Sequence, residues 1–303
     1  MMEMTTFQQK IADLFPNIAL RFNESMEKHT SFRIGGPAEV MAFPKSPAEL
    51  SELLQKTKAL GIVAPVLGAG TNVLAPDTGI DGLVICLKDA LEGMEQLDGT
   101  HIRVFAGVTM TRAAVFAAER DLGGMEFAHG IPGTVGGGVY MNAGAYGGEI
   151  KDICESVEVM DAVGNCKTYT AEEMQFAYRH SCLEDSGGVV VSAVFKLTPK
   201  PRGEVRALMQ ELIGKRKASQ PLELPSAGSA FKRPVGGYAA ALIDQAGLKG
   251  YRVGDAAVSE KHAGFVVNLG NATAHDVQEL LRQVSDIVFE KSGIRLEPEV
   301  RIW

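Results

Sequence analysis

Between Gly130 and Gly148 the chain reads Gly-Ile-Pro-Gly-Thr-Val-Gly-Gly-Gly-Val-Tyr-Met-Asn-Ala-Gly-Ala-Tyr-Gly-Gly, eight glycines in nineteen positions. Glycine loses more backbone freedom on folding than any other residue. A run this dense persists only where the chain must take positive φ or approach something closely. Ordinary turns account for an isolated pair such as Gly35-Gly36, but not for this density. A shorter motif, Gly68-Ala69-Gly70-Thr71-Asn72, follows an apolar run over 62–67 that reads as a buried strand. Successive N–H groups in such a turn form a concave nest for an anion, to which Thr71 and Asn72 add side-chain donors. Two such loops face to face, the second over 131–138, can hold both phosphates of a pyrophosphate without a lysine. The segment 140–148 then lets the backbone pass close to a flat ring system.

The commoner nucleotide and catalytic signatures are missing. In a G-x-G-x-x-G fingerprint a third glycine would stand at Val73, and Pro76 blocks the long helix that should follow. Gly214-Lys215 is followed by Arg216 instead of the Ser or Thr of a P-loop. There is no H-E-x-x-H and no G-x-S-x-G. Cys86, Cys154, Cys166 and Cys182 form no C-x-x-C pair, so no metal site or redox dithiol is expected. Scattered cysteines suit a reducing cytoplasm, the expected location. No basic start followed by an apolar run opens the chain, and no stretch reaches bilayer length, so neither export nor a membrane partner is expected. A net charge of −7 argues against nucleic acid as a partner. The one dense basic cluster, Lys215, Arg216 and Lys217, reads either as a solvated helix end or as a phosphate contact.

A chain of 303 residues suits two or three domains. Ser46, Pro47 and Glu49 open a helix with a capping box; Leu50, Leu53, Leu54 and Leu60 form its apolar stripe and Gly61 ends it. Strands are expected at 83–87 and 101–106, and a helix over 111–122. From 157 to 197 the pattern is mainly strand, with a helical or turn insertion over 171–178. A boundary falls at 199–202, before a helix over 204–217 and a loop over 220–229. A helix over 238–246, a strand over 264–269 and strands at 294–296 and 300–302 follow. Val277, Leu280, Leu281, Val284, Ile287 and Val288 line one face of a helix. The expected class is α+β. The expected division is an N-terminal helical segment (1–28), a glycine-rich domain over 29–200 in two subdomains (about 29–90 and 91–200), and a smaller α/β domain over 201–303.

Six motifs then occur in one order: Thr30-Ser31-Phe32-Arg33-Ile34-Gly35-Gly36; Leu67-Gly68-Ala69-Gly70-Thr71-Asn72; Gly130-Ile131-Pro132-Gly133 through Met141-Asn142-Ala143-Gly144-Ala145-Tyr146-Gly147; Tyr178-Arg179; Gly228-Ser229-Ala230-Phe231; and Glu297-Pro298-Glu299-Val300-Arg301. In this the chain resembles the UDP-N-acetylenolpyruvoylglucosamine reductases from about His29 to Arg301. The short interval from Arg179 to Ser229 resembles the shorter of the family's two subtypes. The resemblance implies a flavin-binding fold of the vanillyl-alcohol-oxidase type in two subdomains, followed by an α/β substrate-binding domain. It implies noncovalent FAD, with NADPH as co-substrate and a UDP-sugar as substrate. The activity is then a reduction in peptidoglycan precursor synthesis, hence in cell-wall biogenesis, cell shape and division. Another FAD-dependent oxidoreductase on the same flavin fold is the alternative.

The flavin contacts it implies are Arg33; Gly68, Ala69, Gly70, Thr71 and Asn72; Gly130, Ile131, Pro132, Gly133, Thr134 and Gly136; and Asn142, Ala143, Gly144 and Gly148. His129 is read as structural. Hydride reaches the terminal vinyl carbon of the substrate, and charge develops through the other vinyl carbon into the carboxylate. Preorganised donors must stabilise that enolate, and an acid must protonate the carbon. Arg179, a planar two-point donor, suits the carboxylate. Glu299 helps if protonated or through a shared hydrogen bond, which burial would favour; Glu297 competes for that place, but the family motif ends in Glu-Val-Arg, which puts the role on Glu299. Ser229 is the implied proton donor. Tyr178, Arg216 and Lys217 are the implied substrate-binding residues, with Arg233 and His262 behind them.

Overall fold

In a computed structural model, which describes residues 4–303, the chain packs as two compact units threaded more than once by the backbone. One comprises the described residues up to Phe22, Glu39–Ala69 and Gly82–Gly214; the other comprises Asn23–Ala38, Gly70–Asp81 and Lys215–Trp303. The first three residues of the expected N-terminal segment lie outside the described residues. Among the described residues no helix is long and apolar enough to cross a membrane.

The first unit is built on two sheets. A four-stranded sheet has the order Ala19–Ser25, Pro37–Phe43, Ile80–Cys86, Val66–Leu67, the last pair parallel with Val66 against Ile85. An antiparallel five-stranded sheet has the order Cys166–Thr170, Cys154–Met160, Val189–Lys196, His101–Phe105, Met94–Gln96. Alternation along His101–Phe105 buries Ile102 and Val104 and leaves the residues between them half-buried, as a strand of period two requires. The helices Pro47–Ala59 and Met110–Ala118 contribute Leu50, Leu53, Met110, Ala113 and Ala117 to the same core.

Several expected elements come out differently. Ser46 caps its helix by accepting from the Glu49 amide at 3.2 Å. The Glu49 carboxylate, however, accepts from Lys45 N at 2.8 Å, so the expected return bond to Ser46 is replaced. Leu60 is the C-cap residue and 43 % exposed; the buried position after Leu54 is Thr57, whose hydroxyl donates to Leu53 O at 2.6 Å. The strand expected over 62–67 shrinks to Val66–Leu67, because Pro65 has no N–H to pair and Val63 is 88 % exposed. The helix expected to reach residue 122 stops at Ala118, since Asp121 takes φ +56° and Leu122–Gly123 pair with Thr198–Pro199. Most telling is Val135–Tyr140, helical where a loop was expected. Three consecutive glycines disfavour a helix by about 1 kcal/mol each relative to alanine, so its stability is tertiary. Val135 N donates to Val108 O at 2.8 Å and Gly136 N to Ala106 O at 2.9 Å.

The second unit is an antiparallel sheet in the order Ser226–Ser229, Phe265–Asn268, Ala256–Val258, Arg252–Val253, covered by the helices Ala239–Gln245 and Ala274–Ser292. Val277, Leu280, Leu281, Val284 and Val288 are buried as their spacing requires, whereas Ile287 is only partly buried. Thr273 caps the long helix. The Asp77 carboxylate also accepts from its first two amides, Ala274 N at 2.7 Å and His275 N at 3.2 Å, and so ties the 70–81 segment to the positive end of the helix. Ser226–Ser229 is a strand inside the expected loop, and no strand forms at 294–296.

His101, at the start of its strand, lies 2.9 Å from the Asp98 carboxylate and 2.8 Å from Glu155 Oε2. The hydrogen bond to Asp98, then that to Glu155, raises its pKa above the ordinary 6.5. A raised histidine stabilises the fold fully below its unfolded value and loses that contribution as pH rises through the folded one. The thermal midpoint is therefore expected to fall more steeply as pH rises above 6.5 in the wild type than in His101→Gln. Parallel profiles would show that the clamp does not act.

Candidate active site

The two glycine loops meet within the first unit. A Cβ at Gly68 would lie 2.5 Å from Thr134 Oγ1, so the turn after Leu67 rests against the second loop and only glycine fits there. Thr134 is buried and its hydroxyl accepts from Gly137 N at 3.4 Å. The nest is narrower than the glycine run. The amides of Val135, Gly136 and Gly138 are occupied by the carbonyls of Val108, Ala106 and Thr134. Cβ atoms at Gly136, Gly138 and Gly148 would meet Ala106, Met110 and Phe127 at 2.8, 2.8 and 2.6 Å, so these glycines answer to protein packing. The open face is at Gly137, which is exposed and where a Cβ would find nothing nearer than 3.7 Å; Gly133 is half-buried at φ +136°. Just upstream, His129 Nδ1 is buried with no hydrogen-bond partner among the described residues, and burial lowers the ring's pKa and keeps it neutral. An exposed glycine at 137 and an unsatisfied imidazole nitrogen upstream in the same segment fit a cofactor that carries both a flat ring and phosphates.

The Gly-Ala-Gly-Thr-Asn turn is divided: Gly68 and Ala69 belong to the first unit, and Gly70, Thr71 and Asn72 to the second. Gly70 O accepts from Ser31 N at 3.1 Å, and Ser31 Oγ donates to Ser226 O at 2.6 Å. Phe32 O accepts from the buried Asn268 amide at 3.0 Å. Arg33 is exposed in this anchored turn, at φ +54°.

Arg179 is half-buried in the first unit, at the tip of a tight turn closed by Ala177 N to His180 O at 3.1 Å and His180 N to Ala177 O at 3.2 Å. Its φ is +53°, unusual for a long side chain. Its guanidinium lies 5.2 Å from the ring of Tyr178, which is 52 % exposed. Asn142, expected in the flavin loop, is buried, and its Nδ2 donates to Glu149 Oε2 at 2.8 Å and to Ala177 O at 2.9 Å. Ser181, which no sequence signal singled out, is fully buried and donates to Tyr140 O at 2.8 Å.

In the second unit the backbone brings Ser229 and Glu299 onto neighbouring segments. Glu299 N donates to Ala230 O at 2.9 Å, Phe231 bridges Pro298, and Lys232 N donates to Glu297 O at 2.8 Å. Ser229 is exposed at the end of its strand, and Glu299 is half-buried. Glu297 is 75 % exposed and paired with Lys232 at 3.4 Å. Asn72 Nδ2 donates to Glu299 O at 3.1 Å, and Arg301 N to Asn72 O at 2.9 Å, so the end of the Gly-Ala-Gly-Thr-Asn turn holds the Glu299 segment. Of the basic cluster, Arg216 is buried, while Lys215 and Lys217 are exposed. His262 is half-buried; its Nδ1 accepts from Gly264 N at 3.1 Å and burial lowers its pKa.

Two family models match the chain: an FAD binding domain over residues 38–170, and the C-terminal domain of UDP-N-acetylenolpyruvoylglucosamine reductase over residues 220–303. The UDP-N-acetylenolpyruvoylglucosamine reductase of Agathobacter rectalis is 48 % identical, over 98 % of each chain. The crystal structure of the corresponding reductase from Thermus caldophilus superposes with a TM-score of 0.79 at 38 % identity, covering 95 % of this chain and 99 % of the other. An alkyldihydroxyacetonephosphate synthase, at 14 % identity and a TM-score of 0.50 over 66 % of this chain and 42 % of its own, shares the fold alone. That fold is the flavin-binding fold of the vanillyl-alcohol-oxidase type.

Proposed function

The chain belongs to the UDP-N-acetylenolpyruvoylglucosamine reductase family and is an FAD-dependent oxidoreductase of peptidoglycan precursor synthesis; from that premise we propose which of its residues do the work. The reaction is reduction of the enolpyruvyl group of UDP-N-acetyl-3-O-(1-carboxyvinyl)-glucosamine to UDP-N-acetylmuramate, with NADPH as reductant. FAD, when bound, would supply the two-electron chemistry that links NADPH to the enolpyruvyl group. The turn at 68–72 with Arg33, the 130–136 loop and the 142–148 segment are the residues that would hold it, without a covalent link.

Arg179 grips the substrate carboxylate through its planar fork, and Tyr178 packs against the sugar nucleotide. Glu299 shares a hydrogen bond with the charge that develops there. Ser229 delivers the proton to the second vinyl carbon. Serine is a weak acid in water, but a carbanionic partner is basic enough to take its proton. Arg216, already desolvated, meets the diphosphate with Lys217 behind it. NADPH and a UDP-sugar are cytoplasmic metabolites, and the isolated cysteines agree with that compartment; two of them, Cys86 and Cys154, are buried thiols pushed up to about 11 and about 12. Nucleic acid and membrane have no part in this reading.

The observation that carries it is the backbone pairing that sets Ser229 beside the Glu299 segment, in a chain of this family. The test is spectroscopic. The purified protein is expected to be yellow, to bleach with NADPH under anaerobic conditions, and to recover its colour on adding the enolpyruvyl sugar. A colourless protein, or one that bleaches and is not reoxidised by that sugar, would refute it.

A further inference from the structure

The glycine-rich segment carries a second device. We propose that Asn142 and Ser181 are positioning residues that hold Arg179 in its left-handed turn, an assignment that rests on the role given to Arg179 above. Positive φ at a long side chain is disfavoured by the contact between Cβ and the backbone, and it persists where the surroundings impose it. Here the two legs of the turn are bonded to Asn142 and to Tyr140, two residues apart in one segment. Before Arg179, Ala177 O accepts from Asn142 Nδ2 at 2.9 Å in addition to its bond from His180 N at 3.2 Å. After it, Ser181 Oγ donates to Tyr140 O at 2.8 Å.

The chemistry of Asn142 permits only one orientation of its amide. Glu149 Oε2 and Ala177 O are acceptors, so both hydrogens of Nδ2 are spent on them, at 2.8 and 2.9 Å. Lys151 N is a donor, and Oδ1 accepts from it at 3.0 Å. The side chain is 1 % exposed and keeps no hydrogen to donate to a bound ligand. An aspartate here would set its carboxylate against another carboxylate and a carbonyl. Asn142 itself sits at φ +42°, a conformation that asparagine tolerates better than most residues. The motif next to the proposed flavin loop therefore sets where the guanidinium stands, and acts through Arg179 without touching substrate.

The experiment is a double-mutant comparison on FAD-loaded protein, reading the rate constant for reoxidation by the enolpyruvyl sugar. Asn142→Ala and Ser181→Ala are each made alone and in the Arg179→Ala background. With Arg179 present each is expected to slow reoxidation by about 10-fold or more, the scale of a sub-ångström misplacement, and by less than about 2-fold once Arg179 is gone. Amide exchange at His180, measured on the purified chain with and without FAD, should rise in both variants. Equal slowing in both backgrounds, or no slowing, overturns the inference. If Asn142→Ala does not retain flavin, Ser181→Ala decides by the same criterion. Wild-type reoxidation in Arg179→Ala alone would remove the role of Arg179 and this inference with it, a failure visible in the single variant.

Discussion

Ser229→Ala is expected to retain FAD and to bleach with NADPH at the wild-type rate, yet to be reoxidised by the enolpyruvyl sugar roughly 10²–10⁴-fold more slowly, the usual cost of losing a general acid. The separation follows from its proposed task. Flavin reduction by NADPH transfers no proton to the vinyl carbon, so Ser229 acts in one half-reaction only. Its surroundings also favour a clean substitution. The neighbouring backbone is held by Ala230 N to Gly264 O at 2.8 Å and Glu299 N to Ala230 O at 2.9 Å, neither of which involves the hydroxyl. Ser229 is exposed, so the loss of one oxygen leaves no cavity. Ser229→Cys should recover part of the rate, since a thiol also donates a proton. In deuterated solvent the wild type should carry deuterium on the protonated carbon. Reoxidation of Ser229→Ala at the wild-type rate would assign the proton to water or to another side chain.

Gly133→Val is expected to weaken flavin retention by roughly 5–150-fold. Gly133 sits at φ +136°, a region closed to residues with a Cβ and worst for a β-branched one. Forcing such a residue there costs about 1–3 kcal/mol. If flavin binding needs the loop in its present shape, that cost appears in the dissociation constant at 1.4 kcal/mol per decade, which yields the range above. Gly133 O also accepts from Met110 N at 3.0 Å, so a shift of the loop strains the start of the helix Met110–Ala118 as well. Titration of apoprotein with FAD measures the effect. Amide exchange in the second unit should change little. Wild-type affinity in the variant would mean that this loop does not form the flavin site.

Much of the candidate chemistry was legible because it is written in local order. Motifs such as Gly68-Ala69-Gly70-Thr71-Asn72, Gly228-Ser229-Ala230-Phe231 and Glu297-Pro298-Glu299-Val300-Arg301 are contiguous, and their order along the chain names the family without any contact being known. Helices with strong caps and apolar stripes, such as Pro47–Ala59 and Ala274–Ser292, were legible for the same reason, since capping and 3.6-residue periodicity act between near neighbours.

What tertiary structure alone decided involves partners far apart in sequence. Helix propensity argues against Val135–Tyr140, and it is helical because Ala106 and Val108 offer carbonyls to its first turn. The glycines at 136, 138 and 148 read as room for a ligand; only the fold shows that, on the side where a Cβ would stand, they pack against Ala106, Met110 and Phe127. The family motif favours Glu299 over Glu297; only the fold shows that Lys232 pairs with Glu297 and that Asn72, 227 positions away, holds the backbone of Glu299. The sequence determined which groups this protein has for its chemistry. The fold decided where their backbones are held, because a hydrogen bond between distant residues leaves no periodicity and no local composition for a reader of the sequence to detect.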